Sequence, residues 1–166
     1  MQDDFVSLYA YNRWADRQVL DACRKLTPEQ YVAEPAPGWS SVRSTLVHIA
    51  VVTDGWLRGL SGEAVGYPPA EADLPAVADA ERLLDHAYAI VDQLLPTLTA
   101  ERLVTPQTLR GAGRTAVLPP WVVLRHLVNH ATYHRGQLAS KLKRLGVEQP
   151  ATDFVFWAFE QMAKGG

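Results

Sequence analysis

One cysteine, Cys23, is all that the 166 residues contain, so no disulfide can close within the chain. A reducing, cytoplasmic setting is the simplest expectation. Charge of one sign is also missing. Sixteen basic residues against eighteen acidic ones give a formal net charge of −2, too weak a field to draw the chain to nucleic acid or anionic lipid. No apolar run approaches the ~18 residues of a membrane span. Met1 is followed by QDDFVSLYAYNRWADRQ, charged at once, so no signal peptide is expected. Repeats and low-complexity segments are absent. The densest basic cluster, KLKR at 141–144, reads as a solvated helix end whose cations oppose the helix dipole, and not as a nucleic-acid surface.

What is present reads as helices divided by proline and glycine. The first helix is expected from about Asp3 to Lys25, with Asp3 and Asp4 at its positive end. In TPEQ at 27–30, Thr27, Pro28 and Gln30 form a capping-box pattern for a short second helix. After the break EPAPGWSS, Ser40 or Ser41 caps a helix that ends near Leu60, ahead of Gly62. Val42, Leu46, Ile49, Thr53, Trp56 and Leu60 mark its buried face by their three- and four-residue steps. A Gly/Pro-rich loop runs to about Pro75. Another helix covers roughly Val77 to Leu95 and stops at Pro96. Residues 101–118 hold two β-prone pieces around GAG, consistent with a small hairpin. Pro119 and Pro120 open the last long helix, which stops at Gly146, and an aromatic helical tail follows. The expected architecture is all-α: a four-helix bundle with one long crossover, forming a single domain over residues 1–166.

The last long helix carries HLVNHATYHRGQ, with His126, His130 and His134 four residues apart. Residues four apart share a helix face, so His130 and His134 can aim two imidazoles at one point. His126 lies on the same face, but a span of eight residues is ~12 Å along the axis, too far for all three to meet one ion. A third ligand must come from another helix. His48 stands beside Ile49 and Trp56 as His130 and His134 stand beside their own apolar stripe, at the edge of the core. His126 is expected to support the site rather than ligate, and His86 reads as an isolated surface residue. Arg135 should face away from the histidines and pack or pair with an acid, whereas Gln137 returns to their face. Tyr9, Asn12 and Trp14 read as packing residues, Trp39 and Trp56 as buried or pocket-walling, and Cys23 as a packed thiol.

Three stretches, YNRWADRQVL, WSSVRSTLVHIA and HLVNHATYHRGQLASKLKRLG, resemble the DinB-like (DinB/YfiT-like) family, a group taken to be metalloenzymes; NHATYHRGQ is the most specific part. The resemblance covers nearly the whole chain in order. It implies a four-helix bundle, a three-histidine site for a divalent metal at His48, His130 and His134, and a homodimer. It implies no DNA binding.

Three neutral imidazoles leave an ion its full charge and at least one open position, the pattern of a catalytic centre. Zinc or nickel suits such ligands best, and iron accepts them. Peptide hydrolysis of the HExxH type is disfavoured, because Ala131 follows His130 where that device needs glutamate. Asp54 and Glu160 are candidate bases that sequence cannot place. The family's relatives imply a thiol S-transferase-like activity on a small molecule, with a low-molecular-weight thiol as co-substrate. A metal-dependent hydrolase and a non-catalytic metal- or ligand-binding helical dimer are the alternatives.

Overall fold

A computed structural model describes residues 2–164. Four long helices carry the architecture: α1 (Gln2–Cys23), α3 (Val42–Ser61), α4 (Val77–Leu94) and α6 (Pro120–Arg144). α3 packs on α4 and α6, and α1 packs on α6 and α4, so the four form a closed ring around one core. Leu20, Leu46, Leu57, Leu84, Leu124 and Leu138 lie at its centre, each no more than 2% exposed. The short helices α2 (Pro28–Val32) and α5 (Ala100–Val104), the terminal helix α7 (Phe154–Lys164) and a two-stranded antiparallel hairpin complete the fold. The protein is therefore a helical bundle with a single small sheet among the described residues.

The local signals act as their chemistry requires. Thr27 Oγ1 accepts from the Gln30 N–H while Gln30 Oε1 accepts from the Thr27 N–H, closing the capping box of α2. Ser41 caps α3 through the Ser44 N–H at 3.0 Å, and Gly62, at φ 87°, ends that helix in the left-handed region that glycine enters without steric cost.

Three expectations are corrected. α1 stops at Cys23 rather than Lys25, because residues 24–26 close into a tight turn of main-chain hydrogen bonds onto the last helical carbonyls. Residues 100–104 are helical, capped by Thr99, so the hairpin is confined to β1 (Gln107–Gly111) and β2 (Arg114–Leu118). Lys141 is not solvated: it is 4% exposed, and its ammonium donates to Ser40 Oγ, the Ser41 carbonyl and Thr45 Oγ1. The cation of KLKR thus ties the end of α6 to the start of α3. Burial without a carboxylate partner lowers its pKa.

The crossover between α3 and α4 is ordered against the hairpin. A Cβ on Gly111 would lie 2.9 Å from Val65 Cβ and Cγ1, so only glycine permits this approach. Gly113, at φ 72°, leaves just enough room for the Tyr67 hydroxyl, 3.0 Å from where its Cβ would be.

Candidate functional site

The site forms where α3 and α6 cross. α6 is an unbroken helix of 25 residues, so the four-residue spacing of its histidines becomes one vertical row. Ala131, Leu127 and Leu138 bury the adjacent face completely, which sets the row at the edge of the core. Packing of α3 on α6 then brings His48 opposite it. His48 is exposed, and His130 and His134 are half-buried.

His48 Nε2 stands 3.0 Å from His130 Nε2. The ring centroids of the three residues are 4.9 Å (His48–His130), 4.6 Å (His48–His134) and 4.4 Å (His130–His134) apart. One nitrogen from each can be chosen so that all three lie within 4.8 Å of one another. Ligand nitrogens at metal bonds of about 2.0–2.1 Å in a tetrahedral site sit about 3.3 Å apart. The cluster is therefore close to the size that one ion demands, and it draws ligands from two helices.

Two features prepare the imidazoles to act as neutral ligands. Gln137 Oε1 lies 2.8 Å from His134 Nδ1. A carbonyl oxygen only accepts, so Nδ1 carries the proton and Nε2 keeps its lone pair. Burial, reinforced by the neighbouring histidines, pushes the His130 pKa down to about 4, and burial with His134 lowers that of His48. At neutral pH both rings hold an unprotonated nitrogen. His130 Nδ1 is buried without a hydrogen-bond partner, so packing and the Nε2 contact with His48 orient that ring.

His126 takes no part in the group. Its ring is 5.5 Å from that of His130 and 6.1 Å from that of Trp56, a tilted and an edge-on contact that lead out of the cluster. Arg135 points into the core, where it pairs with Asp16 at 2.8 Å. Asn12, expected only to pack, accepts a hydrogen bond from the same guanidinium at 2.7 Å. His86 is not isolated: its Nδ1 is 2.5 Å from Asp54 Oδ1 across the α3–α4 interface. Neither candidate base is free, since Asp54 is held by His86 and Glu160 accepts from Trp14 Nε1 at 3.2 Å. Cys23 is buried, and desolvation pushes its thiol up to about 12, so it is no nucleophile. Nothing in the sequence pattern could have signalled the Asp54–His86 pair or the buried Lys141, because each depends on which helices become neighbours.

No helix among the described residues is long and apolar enough to cross a membrane. Known proteins agree with this architecture. The chain is 27% identical to Protein DinB of Bacillus subtilis (strain 168) over 168 residues, covering 96% of each. Its fold matches the crystal structure of a DinB-like protein from Bacillus cereus ATCC 10987 with a TM-score of 0.66 at 22% identity, covering 90% of this chain and 95% of that one. It also matches a DinB-family structure from Exiguobacterium sibiricum 255-15 with a TM-score of 0.59 at 22% identity, covering 87% and 91%. The family model for the DinB family spans residues 1–164, and the chain belongs to that family.

Proposed function

We propose that His48, His130 and His134 hold one divalent metal ion, zinc or nickel before iron, and that the protein is a metal-dependent enzyme acting on a small molecule. The observation that carries this reading is the convergence of three imidazoles from two helices, with nitrogens within 4.8 Å of one another. Three neutral ligands are the pattern of catalytic rather than structural sites. A bound divalent ion supplies Lewis acidity, lowering the pKa of a water or thiol that enters its open position.

The chain's own residues supply binding and orientation. Gln137 fixes the His134 tautomer, the lowered basicity of His130 keeps that ring neutral, and His126 lies between the cluster and Trp56. Among the described residues the one thiol is buried and cannot serve as nucleophile, Ala131 replaces the glutamate that acts as general base in HExxH, and Asp54 is paired. An external nucleophile fits this composition best. We therefore read the activity as thiol S-transferase-like, with a low-molecular-weight thiol as co-substrate. One domain over residues 1–166, a homodimer and a cytoplasmic setting complete the proposal. The exposed Phe156, Phe159 and Met162 of α7 offer an apolar face for a second copy.

The test is thiol conjugation to a model electrophile by protein loaded with zinc or nickel. Turnover that requires both metal and thiol and is lost in His130→Ala supports the reading. Metal-dependent turnover of a hydrolysable substrate without thiol would replace it with a hydrolase. Full metal occupancy with no exchangeable position would make the protein a metal-binding module.

A further inference from the structure

α3 presents more than His48 to its open side. Val52, Gly55, Trp56 and Gly59 follow His48 at four, seven, eight and eleven residues and so lie on the same helix face. All four line a cavity of about 550 Å³ that starts one turn beyond His48. The crossover segment, the hairpin and one residue of α4 form its other walls, so Val65, Tyr67, Leu83 and Leu109 make most of the lining apolar. Its size falls within the range of sites that take small organic molecules, roughly 300–1,000 Å³.

Two features give the cavity a character. Its floor is bare: a Cβ on Gly55 would meet nothing within 4 Å. Glycine inside a helix is unfavourable by about 1 kcal/mol against alanine, so local helix stability does not select it there. Its rim is cationic. Arg58, Arg110 and Arg114 line the cavity against one acid, Asp54, which His86 already engages. Arg58 is engaged by Glu63 and the Ala64 carbonyl. Arg110 and Arg114, both exposed on the hairpin, have no carboxylate partner among the described residues; the register pairs Arg114 with Gly111, on the face that packs against Val65, and Arg110 with Thr115, on the other face. On a chain of net charge −2, this is a local excess of positive charge over an apolar hollow.

We propose that this cavity is the binding site for an amphiphilic anion, an apolar body lodged over Gly55 with a carboxylate, sulfonate or phosphate group held by Arg114. That such a molecule is the substrate rests on the metal-centre reading, because only the nearness of His48 connects the two. The binding itself does not rest on it. The hairpin then acts as the selectivity element, Arg114 fixing the anion while the apolar end extends along α3.

The test titrates the full-length protein with anilinonaphthalene sulfonate and with its uncharged parent, phenylnaphthylamine. The sulfonate should bind at least about tenfold more tightly than the neutral probe. Gly55→Leu, which fills the floor, should weaken both by about tenfold or more. Arg114→Gln should weaken only the sulfonate, to the level of the neutral probe. Val32→Ser, on the exposed face of α2, should change neither. Equal affinities in wild type, wild-type binding by folded Gly55→Leu, or loss in Val32→Ser would overturn the assignment. If circular dichroism shows Gly55→Leu unfolded, the arginine variant decides alone, and no selective loss there overturns it. Metal analysis of the same samples separates the two readings. Metal-free wild type that still prefers the sulfonate sinks the metal centre and leaves the cavity; metal-loaded wild type with no preference does the reverse.

Discussion

The guanidinium of Arg135 stands 2.8 Å from the carboxylate of Asp16, with the two side chains 1% and 3% exposed, one residue along α6 from His134. Tyr88 donates to the other Asp16 oxygen, and Asn12 donates to the Tyr88 hydroxyl at 2.9 Å. The network joins α1, α4 and α6 and fixes the rotation of α6. The histidine row faces α3 because Arg135, on the opposite side, is anchored to α1.

Removing one partner of a buried ion pair leaves an uncompensated charge, which costs about 3–5 kcal/mol. Asp16→Ala should lower the free energy of unfolding by that amount in urea titrations. An unchanged midpoint would show that the Arg135 charge finds water or another acceptor and that the pair does not hold the bundle.

Elemental analysis of protein purified without an affinity tag should find about one equivalent of zinc, nickel or iron per chain. His48→Ala and His134→Ala should each lose it while keeping their helicity, since neither side chain belongs to the core cluster. Metal retained at full stoichiometry in His48→Ala would place the site elsewhere.

Gln137 orients His134 through the 2.8 Å contact without joining the three-histidine group. Groups of this kind alter metal affinity by about 10–100-fold when removed. Gln137→Ala should weaken metal binding by that factor, measured by competition with a chelator, while stoichiometry at saturation stays the same. An affinity equal to wild type would mean that packing alone sets the His134 ring.

The metal-free protein should lose stability on acidification. His130 has its pKa lowered from 6.5 to about 4, so between those values the unfolded chain binds the proton that the folded chain refuses. Stability is therefore full above pH 6.5 and falls as pH drops towards 4. Thermal melts of His130→Ala across this window should have a shallower pH dependence than wild type. Parallel curves would remove His130 as the responsible group.

Gly111→Ala should loosen the crossover. Its Cβ would sit 2.9 Å from Val65, forcing the 63–70 segment off the hairpin. Overpacking of this kind costs about 1–3 kcal/mol. Limited proteolysis should cut this segment faster than in wild type, with the four long helices unchanged by circular dichroism.

Much of this protein is written locally. Thr27, Ser41, Gly62 and the Pro119–Pro120 pair mark helix ends because capping and backbone geometry are settled within four residues. The apolar steps of α3 mark its core face because helical periodicity is a property of one segment. His130 and His134 pair for the same reason, whereas His48 is marked only by its place beside Ile49 and Trp56 and by the resemblance to the DinB-like family. Helix α5 escaped notice because its few residues carry too little pattern to outweigh the β-prone stretch beside it. What only the tertiary structure decided are the relations between elements distant in sequence. These are the 3.0 Å approach of His48 to His130, the burial of Lys141 against α3, the Asp54–His86 pair and the cavity roofed by the hairpin. Each depends on how whole helices pack and rotate about one another, and that is set by the summed burial of the core rather than by the residues that meet.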